Sequence, residues 1–204
     1  MRFFFFIFII PIFLFSQNFE SGFIGGISMS QVSGDNLSGF NKIGPRVGLF
    51  VNRDVNWYNL QLELHYQTKG SRKTINYSDQ NNYIDNLNYN FTNDYNFQLN
   101  YIGVPLLFSF NYKKKIKIEL GNAINILINQ KEEIDYYLDN SRKANRMEYT
   151  ILIGLTYKLS DKYSLNIRGS NSIIPIRKHS SGEVYKLNRG QYNTTLSFNV
   201  LYKI

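Results

Sequence analysis

The chain has 204 residues and no cysteine, so neither a disulfide framework nor a thiolate metal site is available to hold it together. Histidine is nearly missing as well: His65 and His179 stand 114 positions apart, a separation that assembles no metal centre by itself. No metal and no other cofactor is expected. Past residue 16 no apolar run approaches the roughly 20 residues that a membrane-spanning helix needs, and mean hydropathy is slightly negative at −0.30. A helical membrane protein is excluded on that ground. Transmembrane β-barrels escape this test, because their strands alternate apolar with polar residues and average out.

The exception to the missing apolar runs is the opening, MRFFFFIFIIPIFLFSQ. Arg2 supplies a positive start, and Phe3 to Phe15 is an apolar stretch of about 13 residues, too short to span a bilayer and suited to a secretory signal. Cleavage is expected after Ser16, which divides the chain into a signal peptide, 1–16, and a single domain, 17–204. Removing Arg2 takes Lys plus Arg from 23 to 22 against 15 acids, a formal charge of +7 for the exported part. Such a balance suits nucleic acid, anionic lipid and lipopolysaccharide equally well. Export argues against nucleic acid.

Eight segments carry the period of two that marks a β-strand with one apolar face. In residues 57–69, Tyr58, Leu60, Leu62, Leu64 and Tyr66 face one way, and Asn59, Gln61, Glu63, His65 and Gln67 the other. Residues 97–112 put Ile102, Val104, Leu106, Phe108, Phe110 and Tyr112 on one face, with Pro105 opposite, where a bulge or local break is expected because proline cannot donate to a ladder. The last stretch, TTLSFNVLYKI, puts Leu196, Phe198, Val200, Tyr202 and Ile204 on one face, with Thr195, Ser197, Asn199 and Lys203 between them. The remaining segments lie near 21–30, 42–52, 115–129, 147–159 and 162–173. Between them short links, RDVN, YKKK and SDK, alternate with long polar ones at about 31–41, 70–96, 130–146 and 174–189. An even-stranded outer-membrane barrel sorts its connections in this way, with tight periplasmic turns and longer outer loops.

Aromatic placement adds a third signal. Trp57, Tyr58, Phe110, Tyr112, Tyr157, Tyr163 and Tyr202 all lie beside the short links or the last residues of the chain. They are expected to form one girdle at the periplasmic lipid boundary, where rings with polar tips are favoured.

The opposite faces of the same strands carry Arg46, Glu63, His65, Lys117, Glu119, Lys158 and Arg168. An eight-stranded barrel is just wide enough for side chains to fill, and charges inside it are costly unless paired. A salt-bridged plug without catalysis is therefore expected. If the second and third strands turn around Asp54 and Val55, Arg46 stands opposite Glu63; Glu119 with Arg168 is a second pair. A lipid-modifying enzyme would need His65, oriented by Glu63, beside a hydroxyl nucleophile, and no spacing ties one to them. Among the loops, Arg177, Lys178, Lys186 and Arg189 form a basic set that suits lipopolysaccharide phosphates. The Asn- and Tyr-rich stretch 78–94 suits a sugar or protein contact.

The segments GFIGGISMSQVSGD at 22–35, GPRVGLFVNR at 44–53, LQLELHYQTKGS at 60–71 and YIGVPLLFSF at 101–110 resemble small eight-stranded outer-membrane barrels of Bacteroidota-type bacteria, the PorT-like or outer membrane protein beta-barrel domain proteins. The resemblance covers nearly the whole exported part. It implies an outer-membrane barrel and, from the namesake, a link to protein secretion. An acidic residue often precedes the Val/Ile-Pro step in that family; Gly103 stands there here.

The expected architecture is all-β: an eight-stranded antiparallel up-and-down transmembrane β-barrel in the outer membrane, with both mature termini periplasmic. It is expected to be non-enzymatic, to contact membrane lipid, lipopolysaccharide and an envelope or secretion-system protein, and to act through its long loops. The alternative is a soluble exported lipocalin-like binder whose apolar face turns inward.

Overall fold

The computed structural model describes residues 19–35, 37–55, 57–74, 94–179 and 190–204; the expected signal peptide, 1–16, lies outside them. Eight long strands make the wall: β1 Phe19–Ser33, β2 Lys42–Val55, β3 Tyr58–Lys73, β4 Tyr95–Lys113, β5 Ile116–Ile134, β7 Met147–Lys158, β8 Tyr163–Ser172 and β9 Tyr192–Lys203. A two-residue β6, Tyr137–Leu138, folds back on the end of β5. Each long strand pairs antiparallel with its sequence neighbours, and β9 returns to β1 from Gly22–Lys203 to Ser33–Tyr192. The sheet is closed, so every long strand has partners on both sides, the condition for carrying strands through hydrocarbon.

Alternation sets the two faces. Leu62 is 51% exposed while its neighbour Glu63 is 1% exposed, and the same contrast separates Ile167 from Arg168. Apolar residues thus cover the outside and polar ones fill the inside. This overturns the lipocalin-like alternative, which needs the reverse.

The short connections, 56–57, 114–115 and 159–162, share one rim with the start of β1 and the end of β9. The longer ones share the other. The aromatic residues gather at the short-turn rim: Trp57 stacks on Phe110 at 6.0 Å, Tyr58 on Phe108 at 5.1 Å, and Tyr163 lies 5.1 Å from Tyr202. Tyr112 and Tyr157 are exposed on the same boundary.

One detail departs from the sequence reading and a second agrees with it. The β2–β3 register runs from Val55–Tyr58 to Arg46–Gln67, so Phe50, not Arg46, stands opposite Glu63. The chain reverses between Val55 and Tyr58, which shifts the ladder by four residues. At Pro105 β4 pairs with β5 straight through, while on the β3 side the ladder is interrupted between Leu62–Leu106 and His65–Gly103, the local break expected where proline cannot donate, with no shift of register. The register shift in this part of the β4–β5 ladder lies higher, between Asn100 and Tyr101.

That higher point is also where β4 inverts its polarity. Below it the exposed side chains are Ile102, Val104 and Leu106; above it Phe97, Leu99 and Tyr101 point inward and are fully buried. The upper part of the barrel is built like a water-soluble sheet, with an apolar core and polar Asn96, Gln98 and Asn100 outside. Here β3 also leaves β2: the Ser28 and Ser30 hydroxyls of β1 donate to the Thr68 carbonyl at 2.9 Å and the Gly70 carbonyl at 3.1 Å. The β3–β4 hairpin therefore leans inward over the mouth. Gly70 makes the lean possible with φ +137 and passes so close to the Phe97 carbonyl that a Cβ there would sit 1.9 Å from its oxygen.

Candidate functional site

The interior is best described from the middle outward. Glu63 on β3 is the centre: Arg168 of β8 donates to it twice, Nη1 to Oε2 at 2.9 Å and Nη2 to Oε1 at 3.0 Å. Arg46 of β2 reaches the same carboxylate, Nη2 to Oε2 at 3.0 Å. Its length spans the register offset that sequence reading missed. Arg168 also donates to Glu119 of β5 at 3.0 Å, and Glu119 accepts from Asn166 at 2.9 Å and from the Thr156 hydroxyl. Two guanidinium groups thus meet two carboxylates, which balances charge where the isolated ions would be prohibitively expensive.

His65 completes this layer, 3.5 Å from Arg46 Nη2 and 3.9 Å from Glu63. Its ring occupies the space beside Gly103, where a Cβ would lie 2.8 Å from Nε2 and 2.3 Å from Asn125 Oδ1. An acidic residue before the Val104–Pro105 step, as the resemblance implies, has no room here. Lys117 does not belong to the buried layer. Its side chain is 26% exposed at the short-turn mouth, 3.6 Å from Asp54, because β5 starts at Ile116, three residues before Glu119. Lys158 is likewise exposed there, paired with Asp161 at 2.8 Å.

Above the centre lies a second ion pair that strand parity does not announce, Lys69 to Glu148 at 2.8 Å, with Asn193 donating to Glu148 at 3.0 Å. Lys69 also lies 5.3 Å above the Tyr101 ring. Next comes an apolar seal of Val32, Phe97, Leu99, Tyr101 and Ile176. A signal for it exists in the sequence: the apolar residues of β4 change from odd to even positions between Tyr101 and Ile102.

The top layer holds Arg177. It donates to Glu132 through Nη1 at 2.5 Å and Nη2 at 2.9 Å, contacts Gln191 and Tyr95, and lies 4.0 Å from the Phe97 ring centroid. At 4% exposure it is an internal anchor for the loop after β8 and not a surface contact for lipopolysaccharide. The β5 bulge turns Glu132 inward to receive it. Of the other residues in that basic set, Lys178 is exposed, while Lys186 and Arg189 lie outside the described residues, as does most of the stretch 78–94. Asp35, in the β1–β2 connection, accepts from Ser71 at 2.5 Å; burial pushes its carboxyl above the ordinary value, against that hydrogen bond.

Residues 15–178 match the model of the outer membrane protein beta-barrel domain. The chain belongs to that family. Among solved structures this barrel is similar to the Neisserial surface protein A, at TM-score 0.52 and 14% identity, covering 91% of this chain and 97% of that one. It also matches Ail of Yersinia pestis, at TM-score 0.49, 12% identity and coverage of 91% and 99%. OprG of Pseudomonas aeruginosa follows at TM-score 0.41, 11% identity and coverage of 91% and 94%. No curated protein matches in sequence.

Within this outer-membrane barrel the charged layers brace the wall. Glu63 and His65 are sealed from the lipid face by the strands themselves, and the apolar layer closes the long-connection end. Arg46 and Arg168, both 2% exposed, are held by carboxylates and offer no free charge to a solute.

Proposed function

We propose that the protein is a sealed, non-enzymatic outer-membrane barrel that presents its long-connection rim outside the cell and keeps its short turns and both mature termini in the periplasm. One observation carries this reading: the longer connections share one rim while the lumen behind them is filled by paired charges and closed by an apolar layer. With no path through, what the barrel offers a partner is that rim. The belt contacts membrane lipid. Lys178, exposed at the long-connection rim, is the candidate contact for lipopolysaccharide phosphate. The likeness to PorT-like proteins supports an envelope or secretion-system protein as the partner.

The absence of cysteine gives a clean background for a test of the orientation. Lys178→Cys and Lys162→Cys place one thiol on each rim. A membrane-impermeant maleimide applied to intact cells is expected to label the first and to reach the second only after the outer membrane is permeabilised. Labelling of the second alone in intact cells would reverse the orientation and end this reading.

A further inference from the structure

The short-turn end of the lumen is not filled. Below Glu119 the barrel opens into a blind cup of about 540 Å³, a size typical of sites for small molecules, which run from about 300 to 1,000 Å³. Its roof is the buried layer of Glu63, Arg168 and Glu119, so nothing that enters can pass through.

The charge of this cup is lopsided. Strand parity and the turns bring lysines from β4, β5, β7 and β9, and from the β4–β5 and β7–β8 turns, to one mouth, with the Lys158 amide bonded to the Lys115 carbonyl and the Lys203 amide to that of Lys162. Three of these lysines are paired: Lys117 with Asp54, Lys158 with Asp161, and Lys203 with Glu20. Lys113, Lys114, Lys115 and Lys162 have no carboxylate partner among the described residues. The fourth acid of the lining, Glu119, is turned to Arg168. Four unspent positive charges thus surround one cavity, where self-repulsion opposes folding and field lines are focused inward.

A second observation points the same way. Asn52 lines the cup, is 8% exposed, and its Oδ1 has no hydrogen-bond partner. Asn59, Gln61 and Ser109 line the cup with it. A buried amide with an unsatisfied atom is costly unless something in the cavity completes it.

We propose that the short-turn mouth of the barrel is a binding site for a small polyanion bearing carboxylate or phosphate groups together with hydroxyls. The lysines hold its charges, and the amides beneath, Asn52 foremost, bond its uncharged polar groups. The site is independent of which rim faces the cell exterior, because the cup is read from the barrel alone.

The test is calorimetric titration of the full exported chain, in zwitterionic detergent at low salt, with citrate and with fructose 1,6-bisphosphate as probes, each of which carries hydroxyl beside its charged groups. One-to-one saturable binding is expected for at least one of them, and the preferred probe distinguishes carboxylate from phosphate chemistry. Lys114→Gln/Lys115→Gln/Lys162→Gln lies on exposed turns and is expected to keep the heat-modifiable band of a closed barrel. It is expected to weaken binding by about tenfold or more. Asn52→Ala changes no charge and is expected to weaken it several-fold, whereas Lys178→Gln at the far rim leaves it unchanged. Absence of saturable binding by either probe would overturn the proposal. So would equal binding by the triple variant, an effect of Lys178→Gln as large as that of the triple variant, or indifference to Asn52→Ala, which would mark the binding as unspecific attraction to a basic protein.

Discussion

Glu63 shows what a single residue carries in this barrel. It pairs with both Arg46 and Arg168, at 3.0 and 2.9 Å, in a fully buried site, so removing its charge leaves Arg46 with no carboxylate and Arg168 with Glu119 alone. Breaking such a buried pair costs about 3–5 kcal/mol. Glu63→Gln is expected to lose stability on that scale in urea unfolding from micelles, and adding Arg46→Gln to recover part of it by removing one stranded charge. Glu133→Gln, at the solvent-exposed pair with Lys131, is expected to cost far less, because water screens the pair. Equal losses for the two single variants would deny the lumen layer its structural role. At this scale the sequence was informative about which residues face inward, because parity alone decides that. It was silent about partners: Arg46 meets Glu63 across a four-residue offset that depends on where the turn falls, and Arg177 read as a surface cation because nothing local announces that a β5 bulge brings Glu132 beneath it.

At the scale of the element, β4 and β5 are the informative strands. Both run 19 residues, where about 9–11 tilted residues suffice to cross the hydrocarbon, and their upper parts stand above it. Alternation predicted the membrane part of β4 correctly. It said less about the upper part, because the connection after β3 read as a loop until 96 while β3 continues to Lys73 and β4 starts at Tyr95. Gly70 is the joint of that lean. Gly70→Ala places a Cβ against the Phe97 carbonyl at a φ that side chains rarely adopt, and strain of this kind costs about 1–3 kcal/mol before the clash is relieved. The expected loss, measured by the same unfolding assay, exceeds 2 kcal/mol (roughly). Gly25→Ala, which faces outward with nothing within 4 Å, is expected to stay within about 0.5 kcal/mol. If the two variants behave alike, the hairpin does not lean inward as described.

The molecule as a whole is a polarity inversion: its apolar side chains face out along the lower wall and its ions face in. That arrangement was the most legible part of the sequence, since eight alternating segments, sorted connections and a one-sided aromatic cluster all agree, and consistency between levels is what specifies a fold. What stays hidden at this scale is the third dimension of the lumen, where side chains from all eight long strands meet. The measurement that tests the central claim most directly is fractionation of the producing cells, followed by detergent extraction and electrophoresis of boiled and unboiled samples. A closed barrel with lipid on its apolar face stays with the outer membrane, needs detergent, and migrates faster unboiled. Recovery from the soluble periplasm or medium, with one mobility under both conditions, would contradict the account.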